Sequence, residues 1–282
     1  MKKLYCFAVS GCFCLMSWAT NVDSLRQYDL EEISVSATRV NVETPVAFTD
    51  VSGDEIVAKN YGQDVPYLLQ LTPSMVATSD AGAGVGYTDI RMRGYDGTRI
   101  NVTTNGVPMN DAESHKMYWV DTPDLLSSVG SMQIQRGAGT STNGSGAFGG
   151  SISMTTDNLP TRFGGSAEMS YGSFNTNKQA VRVSSGLLGG KWAVDGRLSH
   201  VYSDGYMERA FANMGSYMLQ AAYLGENTLV KLLSFGGVER TYNAWDGITK
   251  EQMEKNRRYN PCGEITDAEG NEVERFYFDE SY

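Results

Sequence analysis

Apolar and polar side chains alternate with a period of two over successive stretches between residues 161 and 246. In the first stretch Ala167, Met169 and Tyr171 fall on one face, and glycine-containing segments such as 186–190 separate it from the next. This period predicts antiparallel β-strands, and a length of roughly ten residues is what a tilted membrane-spanning strand requires. A soluble antiparallel sheet with one hydrated face alternates identically, so the period alone leaves both architectures open. Aromatic side chains at or near the predicted strand ends, which favour the membrane alternative, are Tyr171, Trp192, Tyr202, Tyr217 and Tyr223.

The first twenty residues hold the one long apolar run of the sequence. The stretch Leu4–Met16 follows two lysines, and Ser17-Trp18-Ala19 fits a small-x-small cleavage site. This arrangement predicts a secretory signal peptide over residues 1–19. A buried first helix and a lipoprotein signal ending at Cys12 are the alternatives. Cleavage would leave Cys262 as the one cysteine of the mature chain, so no intrachain disulfide is expected.

The charge balance and the histidine content exclude several functions. The chain carries 23 basic and 33 acidic residues, a formal net charge of −10. This charge repels phosphate backbones, so nucleic-acid binding is disfavoured. Neither His115 nor His200 has a partner at zinc-ligand spacing, and no G-x-S-x-G elbow is present. We therefore predict neither a catalytic nor a metal site.

One glycine-rich segment matches a nucleotide-binding pattern. Residues 144–149 read G-x-G-x-x-G, but the following Ile152–Thr155 reads as a strand. A dinucleotide site needs a helix N-terminus at that point to meet the pyrophosphate. A secreted nucleotide-binding enzyme is therefore a disfavoured hypothesis.

Residues 45–157 carry the signals of short helices and short strands. Ser52 and Glu55 form a capping box that predicts one helix. Asp64 is predicted to cap a second helix, and Thr122-Pro123-Asp124 to start a third. Asn105-Gly106 predicts a type I′ hairpin turn. Together with strands predicted around Ile90, Ile100, Met132 and Ile152, these signals indicate a small α+β unit.

Two motifs in this unit carry a family resemblance. Ile90-Arg91-Met92-Arg93-Gly94 precedes Asn105-Gly106-Val107-Pro108, and Met132–Gly137 precedes the glycine-rich segment 144–152. In order and spacing these segments resemble the plug motifs of TonB-dependent outer-membrane receptors. Leu30–Arg39 resembles the family's TonB box and linker. The resemblance covers about residues 30–157.

Other segments extend or qualify the resemblance. Thr241–Gly247 is similar to a barrel segment of a Bacteroidetes-type subgroup. Many family members have Asp-Gly where Asn105-Gly106 stands, and proline where Ala138 stands. These departures weaken any transfer of ligand identity and leave the fold prediction in place.

The resemblance implies a fold and a division into segments. It implies an α+β plug domain followed by antiparallel transmembrane β-barrel strands, with the barrel incomplete in this chain. The implied segments are a signal peptide (1–19), the TonB box and linker (20–44), the plug domain (45–157) and the N-terminal portion of the barrel (161–282). A barrel of 22 strands needs on the order of 450 residues. We therefore expect a fragment that does not transport by itself.

The resemblance also assigns roles to particular residues. Arg93 and Arg136 would pair with barrel glutamates and lock the plug; solvated strand-end arginines are the alternative. The TonB-binding strand, for which an inert tail is the alternative, would comprise Leu30, Glu31, Glu32, Ile33, Ser34, Val35, Ser36 and Ala37. Ligand-facing candidates, whose aromatic members could instead pack on the barrel wall, are Gly82, Gly84, Tyr87, Met109, His115, Met117, Tyr118 and Trp119.

The function implied is a TonB-dependent receptor and transporter for a scarce large solute in the outer membrane of a Gram-negative bacterium. A ferric siderophore is the first expectation, with cobalamin, haem or an oligosaccharide open. A non-transporting outer-membrane barrel or adhesin fragment is the alternative. We expect no enzyme activity and no resident cofactor, with iron only as part of a transported chelate. The expected partners are TonB with its inner-membrane energising complex, outer-membrane lipid and a siderophore-like small molecule, and no nucleic acid.

Overall fold

The computed structural model describes residues 39–139, 144, 146–157, 159–269 and 272–275. The predicted signal peptide (1–19) and TonB-binding residues (30–37) lie outside these ranges. Within the described ranges, no helix is long and apolar enough to cross a membrane.

Residues 39–157, named here the α+β region, form the first part of the described fold. A mixed five-stranded sheet has the order β1-β6-β7-β4-β5, in which β4 and β7 are parallel, and β2 pairs with β3 in a separate hairpin. The elements in chain order are β1 (Ala47–Ser52), α1 (Gly53–Lys59), α2 (Val65–Leu68), β2 (Met75–Ser79), β3 (Thr88–Met92), β4 (Ile100–Thr104), β5 (Val107–Pro108), β6 (Val129–Arg136) and β7 (Gly150–Thr156). Short 3₁₀ turns cover Gly97–Arg99, Trp119–Asp121 and Leu125–Ser128.

Two local predictions are confirmed by backbone geometry. The Ser52 side chain accepts from the Glu55 amide, and the Glu55 carboxylate accepts from the Ser52 amide, so the capping box starts α1. Asn105 and Gly106 both have positive φ, 51° and 79°, as a type I′ turn requires. This turn joins β4 to β5.

Of two further predicted helix starts, the one at Asp64 is confirmed in position, because α2 begins at Val65, and the one at Thr122-Pro123-Asp124 is wrong. The Asp64 side chain makes no capping hydrogen bond, and its carboxylate instead accepts from the Thr88 hydroxyl at 2.8 Å. Asp124 adopts a left-handed conformation with φ of 50°, and only a 3₁₀ turn follows before β6 begins at Val129. Both carboxylates instead bind groups that are distant in sequence, Asp64 the Thr88 hydroxyl and Asp124 the cations Lys178 and Arg197.

The core of the α+β region lies between its sheet and its short helices. Every residue of β7 is buried, including Ser151 and Ser153, because β7 lies between β6 and β4 in the sheet. The fully buried apolar side chains are Ile56, Leu69, Met92, Met132, Ile134, Ile152 and Met154.

Residues 163–241 form a five-stranded antiparallel meander, named here the wall sheet. Its connections differ at the two ends: residues 172–176 and 204–211 at one end are longer than 189–191 and 225–228 at the other. We name these the long-loop end and the short-turn end. The strands are β8 (Phe163–Tyr171), β9 (Asn177–Leu188), β10 (Trp192–Ser203), β11 (Ala212–Leu224) and β12 (Leu229–Thr241).

The wall sheet buries polar side chains and exposes apolar ones. On β9, Val181 and Val183 are 54% and 53% exposed, whereas Lys178 is 2% exposed. On β10, Leu198 is 69% exposed and Asp195 is fully buried. A soluble sheet with one hydrated face has the opposite arrangement. The alternation predicted from the sequence is therefore present with its polar face against the α+β region.

The exposed face of the wall sheet is layered across the strands. At the long-loop end one cross-strand row carries polar groups, with Asn177, Tyr202, Asn213 and Arg240 in register. In the adjacent row Gln179 and His200 are also polar, and their side chains lie 3.3 Å apart. The rows beyond that one contain mainly apolar side chains such as Val181, Leu198 and Leu219. At the short-turn end Trp192 pairs with Tyr223, their ring centroids 4.6 Å apart. Tyr217, expected near a strand end, lies within β11 instead.

The segment after β12 folds back onto the connection 204–211. It contains α3 (Lys250–Lys255), β13 (Glu264–Thr266) and β14 (Glu272–Arg275). Asn260, which is fully buried, donates to the carbonyl oxygens of Glu208 and Asn243 at 2.9 and 3.0 Å. This segment therefore forms an ordered layer at the long-loop end.

Candidate functional site

The loop that joins β2 to β3 reaches the long-loop end of the wall sheet. The Ala81 carbonyl accepts from the amides of Tyr206 and Met207, at 2.7 and 3.1 Å. Close to this contact lies a cavity of about 340 Å³, named here the Tyr87 cavity. Its lining residues are Thr78, Asp80, Tyr87, Thr88, Asp89, Lys116, Met117, Tyr118, Trp119, Val120 and Trp245.

Three structural segments supply the Tyr87 cavity with aromatic and charged groups. Tyr87, which directly precedes β3, packs edge-on against Trp245 beyond β12, with ring centroids 5.3 Å apart. Lys116 pairs with Asp89 at 2.8 Å, and its ammonium group lies 5.9 Å from the centroid of the Tyr118 ring. The cavity thus offers aromatic surface beside one ion pair, a combination that suits a bulky polar ligand.

Burial raises the pKa of three groups in or near the loop between β2 and β3. Desolvation raises the pKa of Asp80 at the cavity and that of the Tyr87 phenol. Desolvation also raises the pKa of Asp64 well above its usual range, although the hydrogen bond from Thr88 opposes this shift. Asp64 also accepts from the Gly86 amide, so this carboxylate fixes the end of the glycine-rich loop.

The structure brings half of the ligand-facing candidates together. Tyr87, Met117, Tyr118 and Trp119 all line the Tyr87 cavity. Tyr118 is 41% exposed, but Met117 and Trp119 are 5% and 2% exposed and belong to the core of the α+β region. Tyr118 is therefore the side chain of this set that is most available to a ligand.

The remaining ligand-facing candidates lie elsewhere. Gly82 lines a different cavity with Tyr67, and Gly84 is buried against the Tyr67 ring. Met109 packs against the core. His115 lies in a third cavity, beside Gly144 and Gly146. Sequence proximity grouped these residues, but the chain turns between them.

The two predicted lock arginines lie close together at one end of the α+β region. The Arg93 guanidinium covers Gly137, so a Cβ at that glycine would collide with it. Arg136, the preceding residue, donates to the Thr49 hydroxyl at 2.6 Å and the Phe48 carbonyl at 3.2 Å. Within the described ranges neither arginine forms an ion pair with a carboxylate. Their pairing with barrel glutamates stays a prediction.

A different set of charges joins the α+β region to the wall sheet. The Asp124 carboxylate, fully buried, accepts from Arg197 at 2.6 Å and lies 3.2 Å from the Lys178 ammonium. It also accepts from the hydroxyls of Ser199 and Ser127, at 2.5 and 2.7 Å. Both cations are almost fully buried. A buried charge is costly unless it is paired, so Asp124 and the two cations each stabilise the burial of the others.

A second ion-pair group lies beside the first. Arg182 pairs with Asp157 of the α+β region at 2.5 Å and with Asp195 of the wall sheet at 3.0 Å. Asp157 follows β7, and its amide donates to the Ser128 carbonyl at 3.0 Å. We name Asp124, Asp157, Lys178, Arg182 and Arg197 together the ionic seam.

The ionic seam was not predicted from the sequence. One signal was available, because Lys178 and Arg182 share a strand face with Ser184, and an inward-facing cation needs a carboxylate partner. The contact on the other strands is of a different kind: Met218, Leu233 and Phe235 pack on the core of the α+β region. The two regions are thus joined by ion pairs at β9 and β10 and mainly by apolar packing at β11 and β12, where the Thr156 hydroxyl also donates to the buried Gln220 side chain at 3.2 Å.

Arg39, the first residue that the structure describes, is hydrogen-bonded to β6 and β7. The Arg39 guanidinium donates to the Ser131 hydroxyl and carbonyl at 3.0 and 3.2 Å. It also donates to the Ser153 carbonyl at 3.2 Å and the Thr155 hydroxyl at 2.9 Å. The TonB-binding candidates, Leu30 to Ala37, directly precede this anchor in the sequence.

The described residues offer few groups for metal chemistry. Within those ranges no three or more His, Cys, Asp or Glu side chains gather as a metal site. Cys262 is buried and its thiol donates to Asp246 at 3.2 Å. Burial raises the pKa of this thiol.

Comparisons with known proteins agree on one architecture. A family model described as TonB-dependent Receptor Plug Domain matches residues 40–151. The search of curated proteins gave no match.

Three similar solved structures illustrate the fold. The pyoverdine outer membrane receptor FpvA from Pseudomonas aeruginosa, bound to pyoverdine, is 16% identical with a TM-score of 0.61, over 82% of this chain and 31% of that one. The unliganded ferric citrate transporter FecA is 16% identical with a TM-score of 0.61, over 76% and 34%. The copper transporter OprC is 17% identical with a TM-score of 0.58, over 73% and 33%.

At 16–17% sequence identity, these structural similarities show that the chain shares the fold of these proteins. The chain spans between 24% and 34% of the length of the similar structures. The predicted arrangement, an α+β plug followed by antiparallel strands, is confirmed by the family match and the structural match. The described strands form open sheets rather than a closed barrel.

Proposed function

We propose that this chain, whose residues 40–151 match a family model described as TonB-dependent Receptor Plug Domain, is part of an outer-membrane receptor of that family. The receptor would take up a scarce large solute with energy supplied through TonB. The observation that carries this proposal is the wall sheet, which packs its polar face on the plug and exposes its apolar face. That arrangement suits a strand wall between lipid and an enclosed plug.

The orientation follows from the lengths of the connections. Outer-membrane barrels have short turns on the periplasmic side and longer loops outside the cell. The Tyr87 cavity lies towards the long-loop end and would therefore open to the exterior. The apolar rows of the exposed face, with the Trp192–Tyr223 pair at the short-turn end, would contact outer-membrane lipid.

The ligand proposed is a ferric siderophore, bound first at the Tyr87 cavity. Tyr118 and Trp245 supply aromatic surface there, and the pair of Lys116 and Asp89 supplies charge. Similar structures include receptors described as binding pyoverdine and as taking up ferric yersiniabactin. Iron is then cargo within the chelate. The proposal includes no resident cofactor, no catalytic step and no nucleic-acid partner.

Energy coupling would use residues 30–37 as a strand that pairs with TonB, which belongs to the inner-membrane energising complex. Main-chain pairing of an extended segment gives affinity without a deep pocket. Within the plug, Arg93 and Arg136 would add a lock to barrel glutamates. The ionic seam, with Asp124 and Asp157 on the plug, is a second set of plug–wall contacts.

The experiment uses cells that produce the complete receptor containing this chain. Deleting residues 30–37 is expected to abolish uptake of radioactive iron supplied as a mixture of ferric siderophores, while surface binding persists. Uptake that survives the deletion contradicts TonB coupling. Absence of binding by the undeleted receptor contradicts the siderophore proposal and leaves the coupling to be tested by TonB capture on the isolated receptor.

A further inference from the structure

Arg39 holds two strands of the plug at once. Ser131 lies on β6 and Thr155 on β7, and the two residues are register partners across that pair. One guanidinium therefore binds both strands through the Ser131, Ser153 and Thr155 groups. Hydrogen bonds from a charged donor are stronger than those between neutral groups, so Arg39 attaches the chain strongly to both strands.

The same strand pair carries both acids of the ionic seam. Asp124 precedes β6, separated from it by the 3₁₀ turn Leu125–Ser128, and Asp157 directly follows β7. The amide of Asp157 donates to the Ser128 carbonyl, which ties the two acid-bearing ends together. Arg39 thus binds β6 and β7 near the strand ends that carry Asp124 and Asp157, the two acids of the ionic seam.

The next residue, Val40, is bound to β6 at a point farther along that strand. The Val40 amide donates to the Gln133 side chain at 2.7 Å, and that side chain donates back to the Val40 carbonyl at 2.9 Å. Gln133 lies two residues beyond Ser131 on β6 and thus farther from Asp124. Of the two attachments, Arg39 is the one next to the seam.

We infer that Arg39 is the positioning residue that delivers tension from the preceding segment to the ionic seam. Tension that reaches residue 39 moves the hydrogen-bonded ends of β6 and β7 as one unit. That movement draws Asp124 and Asp157 away from Lys178, Arg197 and Arg182. The seam, rather than the apolar contact at β11 and β12, is then the part of the plug–wall interface that opens first. This inference rests on the proposed function for the source of the tension.

The test measures how fast a thiol in the seam is labelled. Ser127, half-buried, accepts from the Lys178 ammonium at 2.5 Å. In cells that produce the complete receptor with Cys262→Ser, the labelling rate of Ser127→Cys by a fluorescent maleimide is compared with and without functional TonB. We expect a faster rate with TonB, loss of that increase in Arg39→Gln, and a smaller loss in Thr155→Val. Arg91→Gln, an exposed strand arginine of the same plug, is the matched control and keeps the increase.

The outcomes separate the inference from the proposed function. If TonB changes nothing in the Arg39 receptor, the proposed coupling fails. If TonB accelerates labelling equally in Arg39→Gln, the inference about Arg39 is wrong. If Arg39→Gln labels at the fast rate even without TonB, Arg39 merely holds the plug closed, and the inference is again wrong. An unchanged slow rate in Arg39→Gln under both conditions supports the inference.

Discussion

Asp124 offers the sharpest perturbation of the plug–wall contact. Asp124→Asn keeps the size of the side chain but removes the charge that faces Lys178 and Arg197, at 3.2 and 2.6 Å. Removing one partner of a buried ion pair costs about 3–5 kcal/mol, because the other charge stays buried. Lys178 keeps Glu168 at 3.2 Å, so we take about 3 kcal/mol, the lower end of that range.

This free energy predicts a measurable opening of the seam. Since every 1.4 kcal/mol is tenfold in an equilibrium constant, about 3 kcal/mol raises the open population roughly 100-fold. Amide exchange in the segment 125–129 follows that population when closing is fast. We therefore expect Asp124→Asn to accelerate hydrogen exchange there roughly 100-fold in the complete receptor, measured by mass spectrometry.

The control for this prediction is Asp121→Asn. Asp121 lies three residues away, is exposed, and forms no ion pair within the described ranges. It should leave the exchange rate of segment 125–129 unchanged. An unchanged rate in Asp124→Asn, or an equal acceleration in both variants, would refute the reasoning that buried ion pairs hold the plug to the wall.

Three further predictions address the ligand cavity, the close packing of the plug, and pH. Tyr118→Ala should weaken ligand binding with little effect on unfolding, whereas Trp119→Ala, which empties a core position, should lower the free energy of unfolding by about 3–5 kcal/mol in denaturant titrations. Gly237→Ala should destabilise the receptor in the same assay because its Cβ would lie 2.6 Å from the Gly215 carbonyl oxygen and 3.2 Å from Pro123, whereas Gly215→Ala, where the space is open, should be tolerated. Because the folded state raises the pKa of Asp64, the contribution of this group to stability is fully present below its ordinary pKa of 3.8 and is lost as pH rises through the raised value. Unfolding midpoints measured against pH should therefore decline less over that range in Asp64→Asn than in the unchanged receptor.

The sequence predicted features that depend on neighbouring residues. The Ser52 capping box and the Asn105-Gly106 turn need only a few adjacent positions, and both are confirmed. The same holds for the strand alternation of the wall sheet. Alternation cannot say which face is buried, because exchanging inside and outside leaves the period unchanged. The burial of Lys178 beside the exposure of Val181 resolved that question.

The sequence did not predict contacts between distant segments. Asp64 reads as a helix cap because Asp is a common N-cap residue, and Thr122-Pro123-Asp124 reads as a helix start. The carboxylates of Asp64 and Asp124 are instead used by Thr88 and by cations of β9 and β10, far away in the chain. Likewise, eight ligand-facing candidates were grouped by sequence, and only Tyr87, Met117, Tyr118 and Trp119 share one cavity.

The central claim is that the apolar face of the wall sheet contacts lipid while the plug lies on its other side. Leu198 and Val181 are register partners on that face, and Glu226 is exposed in a short turn. In Cys262→Ser receptors reconstituted into vesicles, bimane attached at Leu198→Cys or Val181→Cys should be quenched by a nitroxide carried on lipid chains, and bimane at Glu226→Cys by aqueous iodide. Quenching of the Leu198 and Val181 labels by iodide, with none by the lipid nitroxide, would contradict the account.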